Sequence, residues 1–133
     1  MSYSSVFRPG LFAGQVVIVT GAGSGIGRCT AHELAALGAT TVLVGRQGGK
    51  LETVAAEIRA AGGTAETATC DIREEDRVRE LVQQVVARHG RIHALVNNAG
   101  GQFPAPLEEI SARGWEAVVS TNLTGGFLVA REC

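Results

Sequence analysis

Short apolar runs alternate along the chain with segments in which apolar residues recur at helical spacing. Val16–Val19 and Thr41–Val44 are nearly continuous runs rich in β-branched residues, a pattern typical of strands buried on both faces. A weaker strand is predicted over about 64–70, and a fourth over Ile92–Val96. The pattern therefore predicts four short strands, each followed by a helix.

The predicted helices have apolar faces and glycine at or just beyond their ends. Gly38, Gly62 and Gly90 are suited to this position because glycine readily adopts the left-handed conformation that closes many helices. A last amphipathic helix begins at about Ser111 and continues to the end of the chain. The residues expected to be buried in the first three helices are Ile26, Thr30, Leu34 and Leu37; Leu51, Val54, Ala55 and Ile58; and Val78, Leu81, Val82 and Val85.

The predicted order β-α-β-α-β-α-β-α has connections of only a few residues. Helical crossovers between strands of one sheet imply parallel neighbours and right-handed units. This favours an α/β fold with a doubly wound parallel sheet of the Rossmann type, in the strand order 3-2-1-4 with flanking helices. We expect one such domain over residues 1–133, incomplete and truncated in its fourth helix.

Composition disfavours several classes of function. The 133 residues carry a formal net charge of −1, so nothing draws the chain to nucleic acid or to an anionic membrane surface. No apolar run is long enough to cross a membrane, and no secretory signal is visible. The three cysteines form no C-x-x-C pair, so we expect no metal site and a cytoplasmic location. Arg73, Arg77 and Arg79 lie among acidic residues and are interpreted as a solvated helical face.

The loop between the first strand and the first helix is rich in glycine. A diphosphate can reach main-chain N–H groups only where no Cβ intervenes, and a helix N-terminus favours an anion. The strict G-x-G-x-x-G spacing is absent because position 26 is isoleucine and position 28 is arginine, and an empty glycine-rich turn is the alternative. The position of the loop favours dinucleotide binding. The candidate contact residues are Gly21, Gly23, Ser24, Gly25, Ile26 and Gly27.

The end of the second strand bears on which dinucleotide is bound. A carboxylate there usually hydrogen-bonds the adenosine ribose of NAD, whereas this strand ends Val44-Gly45-Arg46. The guanidinium of Arg46 offers forked donors for a 2′-phosphate, and Lys50 adds positive charge. We therefore expect NADP(H) rather than NAD(H). The alternative is that Arg46 is an ordinary exposed loop residue.

Four short segments occur in order and in the expected elements: Thr20-Gly21-x-x-x-Gly25-Ile26-Gly27, Asp71-Ile72, Asn97-Asn98-Ala99-Gly100 and Thr121-Asn122-Leu123. Together they resemble the classical short-chain dehydrogenases/reductases, and the resemblance runs from about Leu11 to Cys133. It implies that Asp71 and Ile72 hold the adenine ring. It also implies that Asn98, Ala99 and Gly100 line the cofactor at the end of the fourth strand.

Asn122 is the one candidate catalytic residue. It lies at the edge of an apolar helical face formed by Trp115, Val118, Val119 and Leu123, where a buried amide requires hydrogen-bond partners. The family resemblance implies that this asparagine organises a water that relays protons to a catalytic lysine. A structural asparagine at a helix bend is the alternative.

The resemblance implies an oxidoreductase that acts on a small molecule and forms a homo-oligomer, and the charges after the second strand make NADP(H) its expected cofactor. The family's Tyr-x-x-x-Lys pair is not present: the only tyrosine is Tyr3, with Phe7 four residues later, and the only lysine is Lys50. We expect this chain to be the cofactor-binding part of a longer enzyme and to be inactive alone. A non-catalytic dinucleotide-binding module and a structural domain with an empty glycine loop are the alternatives.

The segment after the fourth strand bears on the substrate. Gly100-Gly101-Gln102-Phe103-Pro104-Ala105-Pro106 is similar to the matching segment of trans-2-enoyl-CoA and 2,4-dienoyl-CoA reductases. This implies an acyl-CoA-like substrate, with a simple ketone or secondary alcohol as the alternative. A bare fourth strand and an uncovered Trp115–Phe127 face further predict that the chain is marginally stable or associates.

Overall fold

The computed structural model describes residues 5–133 and contains a four-stranded parallel sheet in the order β3-β2-β1-β4. The strands are β1 (Val16–Thr20), β2 (Thr40–Gly45), β3 (Thr64–Thr69) and β4 (Ala94–Val96). The helices are α1 (Gly25–Ala36), α2 (Gly48–Ala60), α3 (Glu75–His89), α4 (Ala112–Val119) and α5 (Gly126–Glu132). The predicted fold class and strand order are confirmed, while Tyr3 lies outside the described residues.

The sheet is covered by helices on both faces, which explains its continuous apolar strands. Val17 and Val19 face a cluster that includes residues of α1 and α2. Val16 and Ile18 face the opposite cluster, formed with α3 and α5. Because successive residues of β1 point to opposite faces, every position of this strand is buried.

The predicted buried faces of α2 and α3 are confirmed, but that of α1 is wrong in part. Ile26 is 79% exposed, and the buried residues of α1 are Gly27, Ala31 and Ala35. A Cβ on Gly27 would overlap the carbonyl oxygen of Gly21. The helix therefore packs closely on the end of β1 through small residues, and the larger Ile26 points away from the sheet.

The last part of the chain departs from a regular helix. A π-helical segment, Ser120–Gly125, separates α4 from α5 and contains Asn122. The Trp115, Leu123 and Phe127 side chains are largely exposed. Strand β4 is also shorter than predicted, since it begins at Ala94 and not at Ile92. Ile92 lies in the preceding loop and packs against the core from there. Between residues 5 and 133, no helix is long and apolar enough to cross a membrane.

Candidate functional site

The carboxyl ends of the four parallel strands meet at one edge of the sheet, and the candidate residues gather there. Residues that follow all four strands line a common cavity of about 130 Å³. Six residues predicted from sequence lie in its wall: Gly21, Arg46, Asp71, Ile72, Ala99 and Gly100. Among these six residues, Gly21 and Gly100 are 79 positions apart in the chain, and the fold brings them into one cavity wall.

The glycine loop leaves helix α1 with uncovered main-chain donors. The first helical hydrogen bond runs from Arg28 N–H to the Ser24 carbonyl oxygen at 3.1 Å, so the amides of Gly25, Ile26 and Gly27 precede the ladder. The Ser24 side chain does not cap the helix. Gly25 has φ +54°, and a Cβ built on it meets nothing within 4 Å. This helix end is therefore both positively polarised and sterically open to an anion.

A second cavity, of about 290 Å³, lies between the glycine loop and helix α2. Its wall contains Gly23, Ser24 and Gly25 together with Arg28 and Lys50. The Arg28 guanidinium is held by the Glu57 carboxylate through two hydrogen bonds, at 2.9 and 2.8 Å. Arg28 and His32 lower the pKa of Glu57 by hydrogen bonding to it, with Arg28 the larger cause. The positive charge of Arg28 is therefore largely compensated.

Arg46 and Lys50 place positive charge at this edge of the sheet. The pKa of Asp71 is lowered chiefly by hydrogen bonds from Arg73, and the charge of Arg46 is a further cause that lowers it. Arg46 follows β2 and is exposed, and Lys50 lies in the first turn of α2 with its Cβ near Gly23. In the part of the chain that the structure describes, neither side chain forms a hydrogen bond or ion pair. Both cations are thus available to an anionic ligand.

The Asp71 carboxylate is held by Arg73, two residues later. Arg73 Nε lies 2.9 Å from Asp71 Oδ1, Nη2 lies 2.5 Å from Oδ2, and the Arg73 backbone N–H donates to Oδ1 at 3.1 Å. These bonds from Arg73 lower the pKa of Asp71 to about 2, although partial burial opposes the shift. Asp71 is therefore an anion throughout the physiological range.

Asn98 connects β1 to β4 instead of lining either cavity described above. Its side-chain Nδ2 donates to the carbonyl oxygens of Thr20 and Gly21, at 3.0 and 3.4 Å. The Thr20 Oγ1 in turn accepts the backbone N–H groups of Asn98 and Ala99, each at 3.0 Å. Asn98 thus positions the loop that carries Gly21 and Ala99.

Asn122 is exposed, so the expectation of a buried amide is wrong. Its Oδ1 accepts the Gly101 N–H at 2.8 Å, and its Nδ2 donates to the Gly101 carbonyl oxygen at 3.0 Å. The π-helical segment turns this side chain towards the loop after β4. Both ends of the amide are satisfied by one residue, which fixes that loop against the last helical segment.

Three residues at this edge have contacts that the sequence interpretation did not assign. Thr20 is fully buried and accepts two hydrogen bonds, and Asn97 Nδ2 donates to the Gly126 carbonyl oxygen at 2.7 Å. Arg73, interpreted as part of the solvated face of the third helix, precedes α3 and lines the cavity. Its spacing of two residues from Asp71 is typical of a carboxylate that bonds the backbone ahead of it, and is the signal that could have identified this contact.

The sequence matches a model of a known protein family. The model described as short chain dehydrogenase matches residues 15–133. The chain belongs to the short-chain dehydrogenase family. The match covers all four strands, the glycine loop and the loop after β4, in agreement with the motifs identified in the sequence.

Solved structures of similar proteins share the fold of this short-chain dehydrogenase. A citronellol catabolism dehydrogenase (AtuB) of Pseudomonas aeruginosa PAO1 is 63% identical with a TM-score of 0.94, over 98% of this chain and 53% of that one. A metagenomic short-chain oxidoreductase in complex with NADP is 43% identical with a TM-score of 0.85, over 91% and 55% of the two chains. An NAD+-bound xylitol dehydrogenase is 36% identical with a TM-score of 0.88, over 92% of this chain and 47% of that one.

Curated relatives extend the range of chemistry found among similar short-chain dehydrogenases. A probable 2,4-dienoyl-CoA reductase of Caenorhabditis elegans is 37% identical over 131 residues, which are 97% of this chain and 42% of the relative. The chain spans about half the length of the curated relatives it matches. The similar proteins bind different nicotinamide cofactors and carry names that refer to different substrates, so similarity alone does not select among them.

Proposed function

We propose that this chain is the NADP(H)-binding part of an oxidoreductase that transfers hydride to or from a small molecule. The observation that carries the proposal is the open N-terminus of α1 beside the cavity at the strand ends. The amides of Gly25, Ile26 and Gly27 would donate to the diphosphate, and Gly21 and Gly23 would let it approach the backbone. Asp71 and Ile72 would enclose the adenine, while Ala99 and Gly100 would border the path towards the nicotinamide. When bound, the nicotinamide would supply the hydride-transfer chemistry.

The preference for NADP(H) over NAD(H) is supported by the charges after β2. Gly45 and Arg46 occupy the place where an NAD-binding protein usually has a carboxylate. Within the described residues the side chains of Arg46 and Lys50 form no hydrogen bond or ion pair, so their donors can bond a 2′-phosphate, although Arg46 also interacts at longer range with Asp71. A nucleotide without that phosphate leaves the donors of these two side chains unused.

The role proposed for Asn122 is to shape the reaction site. Its side chain holds Gly101, and hence the loop leading out of the cofactor cavity. In the whole protein we propose that this segment also organises the water through which protons reach a catalytic lysine. The Tyr-x-x-x-Lys pair that would complete such a site is not within these 133 residues, so we propose that this chain alone does not turn over.

The substrate proposed for the whole protein is an alcohol, a carbonyl compound or an acyl-CoA-like ester. The relative named for 2,4-dienoyl-CoA reduction and the sequence of the loop after β4 support the acyl-CoA class. The structure named for citronellol catabolism supports an apolar alcohol or carbonyl compound. We also propose a cytoplasmic homo-oligomer, which the three free cysteines and the exposed Trp115, Leu123 and Phe127 support.

The cofactor proposal is tested by titrating the chain with NADPH and with NADH, before and after Arg46→Ser. The variant is expected to bind NADPH about tenfold more weakly and to bind NADH almost unchanged, because one charge-assisted contact to phosphate is lost. Arg91→Ser is the matched control, since Arg91 precedes β4 and therefore lies at the amino ends of the strands, away from the cavity. Equal affinity of the unmodified chain for both cofactors would contradict the preference, and saturation by neither would contradict dinucleotide binding.

A further inference from the structure

The cavity at the strand ends contains an ion pair that the proposed function does not require. Asp71 and Arg73 both lie in its wall, and Arg73 lines it although sequence analysis had assigned this residue to the solvent. The two side chains differ in exposure: 18% of Asp71 and 42% of Arg73 is accessible. The carboxylate is therefore the inner partner, and the guanidinium holds it from the solvent side.

The hydrogen bonds from Arg73 occupy most, but not all, of the acceptor capacity of Asp71. Oδ1 accepts both the Arg73 N–H at 3.1 Å and Nε at 2.9 Å, which accounts for its two lone pairs. Oδ2 accepts Nη2 at 2.5 Å, and its second contact, with Nε, is longer at 3.2 Å. Oδ2 thus has room for one further donor. An ionised carboxylate has no proton to give, so it can select only a ligand that donates.

We propose that Arg73 is a positioning residue that fixes Asp71 to accept the exocyclic amine of adenine, giving the site its choice of base. This inference rests on the proposed dinucleotide-binding function and adds a residue to it. Adenine presents an N–H donor at this position, whereas hypoxanthine presents a carbonyl oxygen that the carboxylate repels. Without the guanidinium fork, the backbone N–H of Arg73 still holds Oδ1, but Oδ2 loses its donors and can turn away from the orientation that makes this distinction.

The test measures base selectivity and not affinity alone. The chain is titrated with NADPH and with its hypoxanthine analogue, and the ratio of the two dissociation constants is compared between the unmodified chain and Arg73→Gln. The unmodified chain is expected to prefer adenine about tenfold, the size of one hydrogen bond to a charged acceptor. Arg73→Gln is expected to reduce this ratio to about twofold, and Arg73→Lys, which keeps the charge without the fork, should restore it only in part.

Arg79→Gln is the matched control because its side chain is 43% exposed and pairs with Glu75 and Asp76 on α3. This control should keep the unmodified ratio. An unchanged ratio in Arg73→Gln would overturn the proposal. A variant that keeps its preference for adenine but binds NADPH more weakly relative to NADH would also overturn it, because Arg73 would then be a contact to the 2′-phosphate. If the unmodified chain binds neither NADPH nor NADH, the proposed function itself fails; if it binds NADPH without preferring adenine, only the role of Arg73 fails.

Discussion

Thr20 and Asn98 hold the ends of β1 and β4 together through reciprocal hydrogen bonds. The buried Thr20 hydroxyl accepts a hydrogen bond from the Asn98 backbone N–H, and the Asn98 side chain donates one to the Thr20 carbonyl oxygen, each with a length of 3.0 Å. The same side chain also reaches the carbonyl oxygen of Gly21, at 3.4 Å. The glycine loop and the loop after β4 are thereby fixed relative to each other, which determines the shape of the cavity between them.

Replacing Thr20 with valine tests this connection. The substitution keeps the volume but leaves the Ala99 N–H without its acceptor, while the Asn98 N–H keeps the carbonyl oxygen of Val96. We therefore expect a loss of about 2 kcal/mol in the free energy of unfolding. Thr41→Val is the control, since Thr41 is equally buried but only donates one bond, to the carbonyl oxygen of the exposed Thr64. Urea denaturation should show a loss of about 1 kcal/mol for the control. Equal losses would contradict the special role of Thr20.

Gly27→Ala tests the close packing of α1 on the glycine loop. An added Cβ would overlap the Gly21 carbonyl oxygen and approach Asn98 Nδ2 to 2.5 Å, so we expect destabilisation by about 3 kcal/mol. Gly49→Ala provides the comparison, because Gly49 lies in the first turn of α2 with nothing within 4 Å of an added Cβ. That change should be neutral or stabilise by about 0.5 kcal/mol. A harmless Gly27→Ala would mean that the helix does not lie this close to β1.

The Asp71–Arg73 ion pair predicts a specific loss of stability in acid. The pKa of Asp71 is about 2 in the folded chain and near 3.8 when unperturbed, so the stabilisation is complete above about pH 4 and is lost as the pH falls towards 2. Because Arg73 is partly exposed, we expect this contribution to be about 1 kcal/mol. Between pH 5 and pH 2.5, Asp71→Asn should therefore lose less stability than the unmodified chain.

The comparison isolates Asp71 because other acidic groups titrate in both proteins. The pKa of Glu57 is lowered mainly by its hydrogen bond to Arg28. Burial raises the pKa of Glu66, but hydrogen bonds to Arg88 and His89 lower it overall. Asp76→Asn is the control, since the Asp76 side chain is 90% exposed. Its acid dependence should match that of the unmodified chain. If Asp71→Asn also matches, the ion pair does not stabilise the fold.

The strand order was predictable because each strand carries its own signal. β1 is buried at every position and β2 at its four central positions, and only a sheet covered on both faces accommodates two such strands in succession. The buried face of α1 was not predictable in the same way. Apolar periodicity favours Ile26, whereas close approach to β1 requires Gly27, and residue size becomes decisive only when the packing distance is known.

The site was predictable where backbone conformation or a motif specified it. Gly21 and Gly25 both have positive φ, the conformation that selects glycine in such a loop. Arg73 was missed because a run of mixed charges gives the same pattern whether a residue faces solvent or an internal carboxylate. The exposure of Asn122 depends on the π-helical segment, which no periodicity in the sequence indicates.

The most direct test of the account is NADPH binding to the chain when Gly25 is replaced by leucine. Gly62→Leu is the control, because both glycines have positive φ, +54° and +85°, with nothing within 4 Å of an added Cβ, so both variants carry similar backbone strain. Only the side chain at position 25 would occupy the space in front of the α1 amides. We predict that fluorescence titration shows saturable NADPH binding to the unmodified chain and to Gly62→Leu, and a loss of at least tenfold in affinity for Gly25→Leu. Undiminished affinity in a folded Gly25→Leu variant would contradict the claim that the diphosphate rests on this helix end.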